Sequence, residues 1–352
     1  MGEQQKILVV GPSWVGDMIM AQSLYKLLAR RKPEAEIHVL APAWSKPVLD
    51  LMPEVSRAIE KPIGHGRLGL RVRRDLGRSL RAQTYTQAIV LPRSLKSALV
   101  PFFASIPLRT GFRGESRFGL LNDRRPFDPK LLDQTVKRFV ALGLERAETE
   151  LPKIEAPALQ VRDESRLRTL ARHELDASVD SVALMPGAEY GPAKRWPLEY
   201  FTDLAARLAG VGVSIRVFGS EKERELGEAI VESLDPAQAR NLCGETSLVE
   251  VADLLSAATV AVTNDSGLMH MAAAVQTHVV ALYGSSTPRF TPPLADSSRA
   301  FFLDLECSPC FKRECPLNHF RCMREISVDA VCSAVITALG GTTDEPGGDA
   351  LS

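Results

Sequence analysis

Seven short apolar runs rich in β-branched residues recur along this chain, at 6–10, 36–40, 88–91, 182–185, 214–218, 260–263 and 278–283. Runs of this kind, without polar alternation, predict strands buried on both faces, which is the pattern of parallel sheets. Between them lie helical periodicities at 18–30, 198–209, 221–234 and 248–257. Such β/α alternation leaves little choice of fold, because each crossover must return over the sheet with one hand; the expected class is α/β with doubly wound sheets. A chain of 352 residues is long for one core, so two domains are expected. The alternation lapses over 145–161, where the chain is polar and proline-broken, and the linker is placed there. Residues 1–155 and 156–327 are then two Rossmann-like halves facing each other across a cleft lined by strand C-termini. A last helix, at 328–340, is expected to pack back toward the N-terminal domain, and 341–352 to be disordered.

Hydrophobic residues make up 45% of the chain and charged ones 24%, as in folded soluble proteins. No apolar run approaches the roughly 20 residues of a membrane span, and the N-terminus leads directly into a strand, so a cytoplasmic protein with no transmembrane segment is expected. The zero net charge hides an asymmetry. Residues 1–144 hold 24 Lys and Arg against 12 Asp and Glu, which leaves 19 against 31 for the rest, a balance of +12 and −12. A basic half implies an anionic partner: a phosphorylated substrate, an acidic membrane surface or a nucleic acid. Six arginines fall within 67–81, with Leu68, Val72, Leu76 and Leu80 at four-residue spacing, predicting a basic amphipathic helix with a core-packed apolar stripe. Arg93, Lys96, Arg109, Arg113 and Arg117 occupy later loops and suggest a phosphate-rich acceptor. Without an RNA-binding motif or interleaved aromatics, no nucleic-acid partner is expected.

Four strand-to-helix turns carry candidate chemistry. In the segment 262–274, an apolar strand runs through Asn264, Asp265, Ser266 and Gly267 into a small-residue helix. The N–H groups of Ser266, Gly267 and Leu268 would seat an anion there, Gly267 allows close approach, and Ser266 either caps the helix or donates to a phosphate. His270, one turn on, would reach the same phosphates or simply pack. The turn at 186–197 supplies Lys194 and Arg195, two cations above that same edge, suited to a diphosphate leaving group. The turn at 218–223 offers Gly219, Ser220 and Glu223, where a carboxylate accepts from ribose hydroxyls or merely caps. Near the N-terminus, 11–17 sits where a phosphate loop would, but Asp17 replaces the lysine and would repel phosphate. A carboxylate there suits a general base facing a sugar hydroxyl, with Gly16 letting substrate come close; the alternative is a helix-start acid serving the dipole.

Cys307, Cys310, Cys315 and Cys322 fall within 16 residues, a density that favours a structural zinc or iron–sulfur group over disulfides. The spacing is not that of a standard zinc knuckle, and reduced structural cysteines are the alternative.

Taken together, 10–24, 186–197, 264–270 and 307–322 resemble the ADP-heptose:lipopolysaccharide heptosyltransferases of glycosyltransferase family 9, and within that family the type II enzymes. The likeness runs from about residue 6 to 339. It implies a GT-B fold and inverting transfer of L-glycero-D-manno-heptose from ADP-heptose, needing no metal cofactor, to the first heptose of a heptosyl-Kdo2-lipid A type acceptor. It makes Asp17 the base, Lys194 the phosphate-binding lysine and Asp265, Ser266 and Gly267 the donor turn. Adenosine contacts by Gly219, Ser220, Glu223, Thr246 and Leu248 carry over by position, and Gly16, Arg93, Lys96, Arg113 and Arg117 are the acceptor candidates. A cytoplasmic enzyme, peripheral at the inner face of the inner membrane, follows. The other readings are a type I or III enzyme, a nucleotide-sugar epimerase, and an anion- or RNA-binding module.

Overall fold

In the computed structural model, which describes residues 5–64 and 67–340, the strands are β1 (Lys6–Val10), β2 (Glu36–Ala41), β3 (Arg57–Glu60), β4 (Gln87–Val90), β5 (Leu108–Phe112) and β6 (Asp123–Arg125), followed by β7 (Ser181–Met185), β8 (Ser214–Val217), β9 (Ala239–Asn241), β10 (Val260–Asn264), β11 (His278–Tyr283) and β12 (Ser298–Phe302). The first six form one sheet in the order β3-β2-β1-β4-β5-β6, and the last six form a second, β12-β11-β10-β7-β8-β9. Every pairing is parallel. Each order is that of a doubly wound Rossmann sheet, whose direction of winding reverses between its two central strands. In the first sheet that reversal lies between β1 and β4, in the second between β7 and β10.

All seven strands expected from sequence are present, because their residues are buried on both faces: Ile7, Leu8 and Val9, or Val260, Ala261 and Val262, are wholly inaccessible. Five more strands had no such signal. β3, β6, β9 and β12 lie at or beside sheet edges and keep charged, partly exposed sequences such as Arg-Ala-Ile-Glu and Asp-Arg-Arg, while β5 carries Arg109 and Gly111. The helix expected at 18–30 is two, Val15–Met20 and Gln22–Arg31.

By internal contacts the chain divides into 1–160 with 289–292, and 161–288 with 293–352. The polar stretch expected as a linker is strapped to the first unit. Ser23 Oγ donates to the Glu155 carbonyl at 2.6 Å, Gln22 exchanges two hydrogen bonds with the Ala158 backbone, both at 2.9 Å, and the Gln160 N–H reaches the Leu51 carbonyl at 2.8 Å. The last helix, Val328–Ala338, was expected to pack toward the N-terminal domain. It lies on the Leu198–Gly210 helix and the second sheet, where Val331 and Val335 join the core around Trp196, Phe201 and Leu204. Its apolar face matches that core, and burying it nearest in sequence costs least loop entropy. The disorder expected for 341–352 falls outside the described residues.

The amphipathic helix of the basic half spans Leu70–Ser79, and the expected stripe is realised in part: Leu80 is buried in the core of the first sheet and Leu76 packs against it. Arg73 and Gly77 face inward, and a Cβ at Gly77 would lie 2.6 Å from Phe103 Cβ and 2.7 Å from the Val100 carbonyl. Leu68 and Val72, expected in the buried stripe, are 53% and 41% exposed. Leu68 precedes the helix, whose N-cap Gly69 is left-handed at φ +53°, so the expected stripe is buried only over its C-terminal half.

Candidate active site

The donor candidates collect at the reversal point of the second sheet. β10 ends at Asn264, whose side chain is wholly buried and ties the two central strands' loops together: Nδ2 donates to the Pro186 carbonyl at 2.7 Å, and Oδ1 accepts from the Trp196 N–H at 3.0 Å. Asn264 is thus a scaffold that holds the loop after β7 against the turn after β10. That loop needs its glycines. Gly191, at φ +154°, has the Arg313 carbonyl 2.5 Å from where a Cβ would be, and a Cβ at Gly187 would overlap the Glu223 carboxylate.

Held this way, Lys194 Nζ meets Asp265 Oδ2 at 2.5 Å and lies 5.2 Å from the centre of the Tyr190 ring. Lys194 is 17% and Asp265 5% exposed, so the pair is largely withdrawn from water. The Gly267–Ala274 helix begins beside it with Ser266 as its N-cap residue, whose own side chain makes no capping hydrogen bond. Ser266 Oγ approaches Thr263 Oγ1 at 3.5 Å instead. The first-turn N–H groups, those of Gly267 and Leu268 included, have no intrahelical acceptor and suit an anion. His270 is buried in the same constellation. Burial drives its pKa down to about 4, with Asp265 opposing and Lys194 adding to the effect, so the imidazole is neutral near pH 7.

Arg195 does not join this group. It follows Lys194 in extended backbone and so points the other way. Its guanidinium reaches the Ala188 carbonyl at 3.3 Å and lines a separate cavity of about 230 Å³ with Trp196, Phe320 and Arg324. Glu223 is also spoken for: Oε2 accepts from the Ser220 N–H at 2.7 Å and Oγ at 2.9 Å, a capping box, with Gly219 packed beside it. At the other nucleoside candidate, the Thr246 hydroxyl is buried with no partner among the described residues, and Leu248 opens the next helix. Sequence reasoning missed Ser285 and Ser286, buried after β11 with unpartnered hydroxyls; the Gly-Ser-Ser-Thr-Pro turn that ends that strand was the available signal.

In the first unit Asp17 stands, half-buried, in the first turn of the Val15–Met20 helix, after β1 and beside the buried Gly16. The loop after β4 brings Arg93 and Lys96 to the same sheet edge, and Arg93 stacks 4.1 Å from the centre of the Phe127 ring. Arg113 is exposed after β5. Arg117, an acceptor candidate, is 2% exposed and spends its guanidinium on the Pro92 and Phe112 carbonyls, which makes it a loop tie. Arg109 is similarly bound to the Leu120 and Ile106 carbonyls. Arg138, which no motif marked, stacks on Phe127 and Phe290 at 5.1 and 4.5 Å. Its pKa is lowered by burial and by Arg93, with Asp133 and then Asp17 opposing, so its charge is felt at the carboxylate.

The four clustered cysteines are free thiols around a cavity of about 20 Å³, shared with Ser285 and His319. Burial and the other three sulfurs raise the Cys322 pKa to about 11. Among the described residues no group of three or more His, Cys, Asp or Glu side chains stands at metal-binding geometry, and these four free thiols, around one void, are the residues that would hold a structural zinc or iron–sulfur group. No step below runs through one.

Comparison with known proteins agrees with this geometry. The family model described as "Glycosyltransferase family 9 (heptosyltransferase)" matches residues 73–321. The chain is 49% identical over 306 residues to lipopolysaccharide heptosyltransferase 2 of Escherichia coli, covering 85% of this chain and 88% of that one. It is 47% identical over 305 residues to lipooligosaccharide heptosyltransferase 2 of Haemophilus influenzae, covering 83% and 87%. The solved structure of the Escherichia coli ADP-heptose lps heptosyltransferase II superposes with a TM-score of 0.85 at 43% identity, over 95% of this chain and 98% of that one. Two Rossmann sheets of the GT-B type, candidate groups at both reversal points and identity of this extent lead to one assignment: the chain belongs to glycosyltransferase family 9, the heptosyltransferases, and is a glycosyltransferase.

Proposed function

We propose that this enzyme transfers L-glycero-D-manno-heptose from ADP-heptose to the first heptose of a lipopolysaccharide inner core, with inversion. The observation that carries the donor half is the Lys194–Asp265 pair beside a helix start whose N-cap side chain makes no capping hydrogen bond, at the reversal point of the second sheet. As the bond from the anomeric carbon to the β-phosphate oxygen breaks, the electron pair goes to the leaving ADP. Lys194 has N–H donors beyond the one given to Asp265, and these, with the Gly267 and Leu268 N–H groups, meet that charge. Asp265 fixes the ammonium in place, and His270, neutral, adds no competing charge. Removing one such preorganised donor typically costs about 3–4 kcal/mol in the transition state.

Asp17 is the base. It takes the proton of the acceptor hydroxyl while that oxygen bonds to the anomeric carbon on the face opposite ADP, which inverts the configuration. Arg93, Lys96 and Arg113 suit the anionic groups of a phosphorylated acceptor. Thr246, Leu248 and the Gly219–Ser220 turn lie toward the nucleoside, with the unpartnered Thr246 hydroxyl the best-supported contact. The acceptor is lipid-linked, so the enzyme works as a peripheral protein at the inner face of the inner membrane; no helix of the described residues is long and apolar enough to cross it.

The test is incubation with ADP-heptose and defined truncated lipid A–core acceptors, following ADP release and product mass. Transfer confined to an acceptor already bearing one heptose is the expected result. Transfer to an acceptor with no heptose would instead indicate a type I enzyme.

A further inference from the structure

We infer that the entry to the Leu70–Ser79 helix, from Arg67 to Arg74, is a docking surface for an anionic phospholipid bilayer. Leu68, Leu70 and Val72 are 53%, 51% and 41% exposed, three large apolar side chains within five residues. The core does not require them, since the segment is seated through Leu76 and Leu80, through Arg73, and through Gly77 against Phe103 and Val100. They therefore present free apolar area to solvent, which a folded protein rarely concentrates without a partner.

The cations around them identify that partner. Arg67, Arg71 and Arg74 flank the apolar residues, and Asp75, 3.9 Å from Arg71 and 3.3 Å from Arg74, is the helix's single acid. Guanidinium groups pair with phosphodiesters in bidentate fashion, while leucine and valine enter the acyl boundary just beneath. A soluble polyanion would reward the arginines but leave Leu68 and Leu70 in water; a bilayer rewards both.

Placement in the fold supports the same partner. β3 runs parallel to β2, which runs parallel to β1, so the helix that follows β3 starts at the same sheet edge as the Asp17 loop. At the end of β3, Lys61 is partly buried, and its pKa is lowered by burial and then by Arg73 and Lys96, which marks a concentration of positive charge there. A bilayer bound at this edge would present a lipid-linked acceptor on the side of the unit that carries Asp17; to that extent the inference rests on the proposed function.

The test uses the full chain with phosphatidylglycerol-containing vesicles and with pure phosphatidylcholine vesicles, neither holding any acceptor. Co-sedimentation with the anionic vesicles alone, weakening as salt rises, is expected. Leu68→Ser/Leu70→Ser and, separately, Arg67→Gln/Arg71→Gln should each lower the partition about tenfold, with unchanged thermal melting. Both variants should keep wild-type kcat on a delipidated heptosyl oligosaccharide and show a raised KM on vesicle-borne acceptor. Equal binding to neutral vesicles, or wild-type partition by the leucine variant, would overturn the docking surface. If the wild type transfers heptose normally but ignores vesicles, the docking surface is wrong and the proposed function stands. If it binds vesicles but transfers to neither acceptor, the reverse holds.

Discussion

Acidification should weaken the second unit through one side chain, His270. Its imidazole, on the first turn of the Gly267–Ala274 helix, is buried near the Lys194–Asp265 pair, and burial lowers its pKa from 6.5 to about 4. In the unfolded chain it titrates near the ordinary value, so between those two pKa values the unfolded state binds a proton that the folded state refuses. Stability therefore falls as pH drops through 6.5 toward 4, and the effect is absent above that window. From about pH 7.5 to about pH 5 the two-pKa linkage relation yields a loss of ~2 kcal/mol from this group alone. Other groups titrate over the same range, so the measurement is a comparison of the wild type with His270→Gln, which cannot protonate. Hydrogen-exchange protection of peptides spanning 260–274, corrected for intrinsic rates, reports the opening free energy of this unit. The wild type should lose about 2 kcal/mol more than the variant between the two pH values. Parallel losses in the two proteins would show that the imidazole is not held neutral and would remove it from the electrostatics of the donor seat.

Three further outcomes follow from the geometry. Lys194→Ala leaves Asp265 buried without its cation and should cost the second unit about 3 kcal/mol together with ADP-heptose use; adding Asp265→Asn should restore the stability but not the activity, read by denaturant unfolding and ADP titration. Asp17→Ala should lower kcat at least about a hundredfold while ADP binding by calorimetry stays as in the wild type, and wild-type turnover would remove the base assignment. Gly77→Ala puts a methyl 2.6 Å from Phe103 Cβ and 2.7 Å from the Val100 carbonyl, and should destabilise the first unit by ~1–3 kcal/mol in thermal unfolding, without changing donor binding.

Much of the scaffold was legible in the chain because its cause is local. Strands buried on both faces must be continuously apolar, so β1, β7, β10 and β11 announced themselves, whereas β3 and β12, at the edges, tolerate charge and did not. Asp17, Lys194 and the Asn264–Gly267 turn were readable because each follows such a strand, where a doubly wound sheet places its ligands. Arg138 was not, since its place is set by stacking on Phe127 and Phe290, neither adjacent to it in sequence. Arg117 carried the right charge for a ligand, but backbone carbonyls claimed it, while at Glu223 the structure takes the local capping alternative that the sequence already offered.

Periodicity and strand-end chemistry, then, determined by themselves that this chain forms two Rossmann sheets and which strand-end turns bear the candidate residues, because both follow from interactions within a few residues. The direction of each side chain at those turns was decided only by tertiary structure. Lys194 and Arg195 are adjacent cations, yet backbone geometry sends one to a buried carboxylate and the other to a different cavity. Leu68, Val72, Leu76 and Leu80 carry one spacing, yet only the last two reach the core and the first two stay exposed. Long-range packing sets rotations and burial, and with them which charges are desolvated enough to act.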